Sequence, residues 1–237
     1  MLEPGTMLAF GPLHFSADLL SVLLALLLFP PWLKRVEADK SGSSAFLQAG
    51  GNSILLALVL YKLWPILEGG FEVIREPSRW LLYSGGAFGL EAGAAGGALL
   101  FFVQALRGKW LKPAVGEWLL AAVAFWALAQ ALLIKGYGIE TAGWGLELQG
   151  VYYFPLHLLE AAVLLAMLLL LTFPRWRASF STRERIGILL IGLGFWTIIH
   201  ITLSAADRIP SGLLSYREEA GLVAVYLGAW LFLRKRE

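Results

Sequence analysis

The feature that most constrains this chain is a series of seven apolar stretches, each of roughly the 20 residues a helix needs to cross a bilayer. They are Met7–Trp32, which runs into Pro30-Pro31, then Ala45–Leu67, Trp80–Leu106, Trp118–Ile134, Pro155–Phe173, Ile186–Ala206 and the short Ala220–Leu233. Inside lipid every backbone N–H and C=O must be satisfied within the segment, so such runs are helices. The reading is an all-α integral membrane protein of seven transmembrane helices, a single domain over residues 1–237. With 58% hydrophobic residues and a mean hydropathy of +0.70, the 237-residue chain leaves no stretch for a separate soluble domain. It has no cysteine, which excludes disulfides, thiolate nucleophiles and Cys-ligated metals. No run of like charges exceeds the three residues Arg234–Arg236, and nothing points to nucleic acid. No basic residue precedes the first apolar run, so a removable signal peptide is not expected.

Lysine and arginine in the connections set the orientation. Taken on alternate sides, the connections and termini carry 13 basic residues against 5, and the alternation holds at every loop. The positive-inside rule puts the richer side in the cytoplasm, with the N-terminus outside and the C-terminus inside. The chain is thus expected as a multi-pass protein of a bacterial inner (plasma) membrane.

Within the third span, Gly85, Gly89, Gly93 and Gly97 recur every four residues. That spacing stacks them on one helix face and lets a neighbouring backbone approach closely. The Gly-rich helix is therefore read as central to the bundle. Glu91 sits in mid-segment on this reading. A charge at that depth costs roughly 2.5–3.5 kcal/mol on insertion scales and should face protein, water or a partner.

The other intramembrane polar groups gather toward the outside. His14 and Asp18 lie in the outer half of span one, Gln130 lies near the outer end of span four, His157 and Glu160 open span five, and His200 lies in the outer half of span six. His14/Asp18 and His157/Glu160 are four and three apart, so each pair shares a helix face. The connection 135–154 is rich in glycine, tyrosine and tryptophan. It reads as an interfacial hairpin, as an amphipathic segment lying on the membrane, or as an aromatic belt alone. A metal site lacks suitable ligand spacing, so no metal and no cofactor are expected. A proton path would need polar groups continued inward, where only Gln48 and Asn52 stand out. Chemistry at the outer leaflet would use His157 as general base, with Glu160 or Asp18 orienting it. The plain alternative is that each polar residue bonds a neighbouring helix.

Several local patterns resemble the prolipoprotein diacylglyceryl transferase family. Gly11-Pro12-Leu13 is similar to its start, and Glu76-Pro77 followed by Gly85-Gly86 to its approach to the third span. Ala129-Gln130, Gly138, Thr141 and Trp144-Gly145 look like the loop after its fourth span. Pro155, Leu158 and Glu160 match a Pro-x-Gln-Leu-Tyr-Glu segment, and Gly187 sits where its sixth span begins. The resemblance implies transfer of diacylglyceryl from phosphatidylglycerol to the lipobox cysteine of a lipoprotein precursor at the outer leaflet. It further implies lipid contacts at Gly85, Gly86, Gln130 and Trp144.

The chain departs from that pattern where the family grips phosphate. The family's histidine falls at Leu90, and its Arg- and Asn-bearing signature has no counterpart in 131–137, ALLIKGY. Asp18, Glu91, His157 and His200 occupy or adjoin the altered positions, which implies a site re-lined with acids and imidazoles. Such a lining suits a neutral or cationic group better than a bare phosphate. The candidate catalytic set is His157, Glu160, Asp18, His200, Glu91 and His14. The expected partners are a membrane phospholipid (phosphatidylglycerol or a neutral lipid) and a lipoprotein precursor, with the oligomeric state open. Two other functions remain in view: a non-catalytic lipid- or lipoprotein-binding or assembly subunit, and a small transporter.

Overall fold

A computed structural model describes residues 1–10, 13–69, 88–110, 112–204 and 216–234. Among these the chain is mostly helical. Its order is β1 (Met7–Phe10), β2 (Leu13–Ser16), α1 (Ala17–Val36), α2 (Lys40–Gly69), α3 (Gly89–Arg107) and α4 (Pro113–Leu133). There follow β3 (Tyr137–Thr141), β4 (Leu146–Leu148), β5 (Val151–Pro155), α5 (Leu156–Thr172), α6 (Pro174–Ser179), α7 (Thr182–Leu203) and α8 (Tyr216–Leu233). Five of the described helices, α1 to α4 and α7, are long and apolar enough to cross a membrane, and α5 and the 219–233 part of α8 are shorter apolar helices. The protein is a helical membrane protein.

The expected span Met7–Trp32 is corrected at both ends. Residues 7–10 pair antiparallel with 13–16, Met7 opposite Ser16, so the helix begins only at Ala17. It then continues through Pro30 and Pro31 to Val36. Proline removes a helix hydrogen bond, but aromatic packing holds this last stretch. Phe29 and Trp32 lie 5.9 and 5.3 Å from the Phe125 ring, and Trp32 Nε1 donates to Thr172 Oγ1 at 2.7 Å.

The chain divides into two compact units, Met1–Val36 with Pro113–Glu237, and Glu37–Lys112. In the smaller unit, α2 and α3 pack antiparallel along the glycine face. A Cβ at Gly93 would lie 2.7 Å from the Ala57 carbonyl oxygen, and one at Gly97 2.9 Å from that of Ser53. The small-residue spacing therefore does pack helices, as the sequence implied. Gly85 and Gly86 fall outside the described residues. Glu91 is corrected from mid-segment to the exposed first turn of α3, where a carboxylate favours the helix dipole. Glu68 ties the unit's end together, its Oε1 accepting from Trp64 Nε1 at 2.7 Å and from the Phe88 amide at 3.2 Å. Asp39 caps the start of α2. The Gly42 amide, the Lys112 ammonium and the Ser41 hydroxyl all bond it and hold its carboxyl down at about 2.

The larger unit packs α1, α4, α5, α7 and α8. Its core includes Leu33, Trp118, Ala121, Ala124, Leu164, Leu171 and Leu189. Helices α7 and α8 meet backbone to backbone, since a Cβ at Gly187 would lie 2.7 Å from the Gly228 oxygen and one at Gly194 2.7 Å from that of Gly221. This second glycine seam was not read from the sequence, because its spacing of seven on each helix leaves no local run.

The 135–154 connection is a three-stranded antiparallel sheet, ordered β3-β5-β4, which selects the hairpin among the readings offered. Gln149 and Gly150, both at positive φ, form the two-residue turn between Leu148 and Val151. The chain start is stitched to the same end. The Leu2 amide donates to the Leu133 carbonyl at 2.7 Å and the Lys135 amide to the Leu2 carbonyl at 2.9 Å.

Candidate active site

Antiparallel helices bring alternate termini to one end. In the larger unit, the starts of α1 and α5 meet the ends of α4 and α7, and the β3-β5-β4 sheet lies over them. They enclose a cavity of about 510 Å³ lined by Asp18 from α1, Gln130 from α4, Glu160 from α5, and Trp196, His200 and Ser204 from α7. Pro4, in the strap of residues 1–6 that precedes β1, and Lys135, Tyr137, Leu148 and Tyr153 on the sheet side close it.

One pair dominates its chemistry. His200 Nδ1 lies 2.7 Å from Glu160 Oε1. The Glu160 side chain is 7% exposed and that of His200 46%. An ionised carboxylate can only accept, so with Glu160 ionised the Nδ1–H donates this bond, and a neutral ring then carries its lone pair on Nε2. A buried carboxylate that orients an accessible imidazole is the geometry of a general base. Trp196 stands one turn before His200, ring centroids 6.2 Å apart, and its indole N–H is buried with no acceptor among the described residues.

The sheet-side wall is set by a charged clamp. Glu3 accepts from Lys135 Nζ at 2.6 Å and from Tyr137 Oη at 2.5 Å. Lys135, then Tyr137, hold the Glu3 carboxyl below its usual value, and the bond to Glu3 pushes the Tyr137 phenol up to about 12. Lys135, the one ammonium among the described lining residues, is thereby matched by an acid of the chain start.

His157 takes a different place from the one expected of a base. It is 3% exposed and is not a lining residue of the cavity. Its Nδ1 accepts from the Gly136 amide at 3.1 Å, while the Leu156 amide donates to the Gly136 carbonyl at 3.0 Å. His157 thus pins the sheet to the start of α5, and Glu160, three residues on, turns to α7 instead. Asp18 and Gln130 line the cavity, as expected of site residues. His14 lies in β2, and nothing is described of its side chain. Glu91 belongs to the Glu37–Lys112 unit. Trp144 is exposed in the β3–β4 connection, edge-on to Phe154 at 5.8 Å. Among the described residues no group of three or more His, Cys, Asp or Glu is placed to hold a metal ion.

A second, apolar groove of about 280 Å³ follows the same α1–α4 seam, lined by Val22, Ala25, Leu26, Phe29, Ala122 and Trp126. Val22 and Leu26 stand one and two turns beyond Asp18. Trp126 and Ala122 stand one and two turns before Gln130. The polar cavity and the apolar groove are therefore successive stretches of one seam.

The sequence reading missed a buried cluster at the opposite helix ends of this unit. Glu117, at the start of α4, is fully buried. Arg185 Nε donates to both its oxygens at 3.0 Å, and Arg177 Nη1 lies 2.8 Å from Oε1. Arg185 also donates to the Phe180 carbonyl and to Thr182 Oγ1, at 2.8 and 3.1 Å. Arg177 and Arg185 were counted only as loop charges. The signal available was Glu117 itself, an acid against the edge of an apolar run, opposite a loop with four arginines.

No family model matches this chain, and no curated protein sequence is significantly similar to it.

Proposed function

We propose that this protein is a divergent relative of the prolipoprotein diacylglyceryl transferases and acts on a lipid or lipoprotein at the outer leaflet, with His200 as general base and Glu160 orienting it. The observation that carries the reading is the 2.7 Å Glu160–His200 contact at the wall of a cavity of about 510 Å³. The apolar groove continuing from that cavity suits an acyl chain lying along α1 and α4 while its polar end enters the cavity. In the reaction that the resemblance implies, Nε2 takes the thiol proton and the sulfur attacks the glyceryl carbon. The carbon–oxygen bond to phosphate breaks, and the proton passes to the departing glycerol phosphate. The orientation is the one with the N-terminus, the sheet and the cavity outside, in keeping with the excess of basic residues on the other side.

A second reading, a lipid- or lipoprotein-binding subunit without turnover, is favoured by the lining. Asp18 and Glu160 line the cavity, and among the described residues no arginine lines it to grip a phosphate. Transport is disfavoured, because the Glu117–Arg177–Arg185 cluster fills the other end of the same helices with buried, mutually paired charge.

The test is incubation of the purified protein in nanodiscs with labelled phosphatidylglycerol and a lipobox peptide. Label on the peptide with wild type, and at least a hundredfold less with His200→Ala, supports transfer. Lipid retained by both proteins with no labelled peptide supports binding alone.

A further inference from the structure

At the opposite end of the larger unit from the cavity, two arginines share one indole. The Arg183 guanidinium lies 5.4 Å and the Arg234 guanidinium 5.0 Å from the Trp230 ring centroid. The α7–α8 backbone contact sets this up, since Arg183 stands one turn before Gly187 and Trp230 two residues past Gly228. Two like charges are thus held within about a Debye length of each other. Arg183 Nε and Nη2 are buried and meet no acceptor among the described residues. The nearby acid Glu117 is already taken by Arg177 and Arg185, and Glu184 is turned back onto the Ser181 amide at 2.6 Å in a capping box. Trp230 itself is 46% exposed, as an indole at a membrane surface would be.

We propose that Arg183 and Arg234, held in place by Trp230, bind the phosphate group of an anionic lipid in the leaflet on this side. Guanidinium forks match phosphate oxygens, and stacking on the indole orders both forks in advance, so less side-chain freedom is lost on binding. The ligand's charge also relieves the repulsion between the two cations. The site is independent of the Glu160–His200 cavity.

Native mass spectrometry of the full chain in detergent tests this, with phosphatidic acid, phosphatidylcholine or soluble glycerol phosphate added in turn. Wild type should retain a phosphatidic acid adduct that phosphatidylcholine does not form and millimolar glycerol phosphate does not displace. Arg183→Gln/Arg234→Gln should weaken that adduct at least tenfold. Arg183→Lys/Arg234→Lys, which keeps the charge and so guards against loss through misfolding, should weaken it less. An adduct that survives the double glutamine variant, equal binding of phosphatidylcholine, or displacement by glycerol phosphate would each overturn the proposal.

Discussion

Two buried carboxylates on the same helical unit meet opposite fates. Glu117 is 1% exposed and is gripped by Arg177 and Arg185, whose side chains are 10% and 14% exposed. Glu160 is 7% exposed and is held by His200, which is 46% exposed and lines a cavity. The first cluster is closed: its cations are permanent, and little room is left for a ligand. The second is open: its partner is an imidazole, which can gain or lose a proton, and it borders a space large enough for a polar headgroup. Burial of an acid therefore does not mark a site by itself. The kind of partner, and whether that partner reaches open volume, separates a fastening from a reactive pair.

The largest effect that would break this contrast is on stability. Glu117→Gln should cost about 3–5 kcal/mol, because two buried guanidiniums lose their counter-charge. Glu160→Gln should cost no more than about 1–2 kcal/mol while abolishing turnover or ligand retention. Thermal unfolding in detergent reads both, and equal destabilisation would erase the distinction drawn here. Next is the pair of histidines. His200→Ala should keep the fold and lose activity, whereas His157→Ala should leave the Gly136 amide unsatisfied and cost about 1–3 kcal/mol. A reversed result would return the base to His157. In the smaller unit, Gly93→Leu should lower stability by about 1–3 kcal/mol, because the Ala57 carbonyl stands where the new side chain must go.

The smallest effect concerns the strap at the open end. The Glu3 carboxyl is depressed by Lys135 and Tyr137, so its contribution is present above pH 4.5 and lost as pH falls through the lower, folded value. Tyr137 is raised, so its part is present below pH 10 and lost as pH rises through about 12. Hydrogen exchange at the Leu2 and Lys135 amides should therefore quicken first in acid. Glu3→Gln should remove that acid dependence without touching the Glu117 end.

Periodicity and hydropathy located the helices well where a segment is uniform. The α2, α4, α5 and α7 ranges begin and end within about five residues of their expected spans. They failed at the chain start, where residues 7–16 are apolar enough to extend a helix yet pair as strands, and at Pro30-Pro31, where aromatic contacts outweigh a local breaker. The layer of polar groups is legible as depth along each helix, which marks Asp18, Gln130, Glu160 and His200 without showing that they share a cavity.

What the chain carries locally is rise per residue, apolar length, small-residue spacing and the balance of basic loops, since each depends only on near neighbours. Rotation about each helix axis depends on the surfaces it meets. Only the assembled packing decided that Glu160 turns to His200, 40 residues away, and not to His157 on its own helix, or that Glu117 is matched by Arg185, 68 residues on.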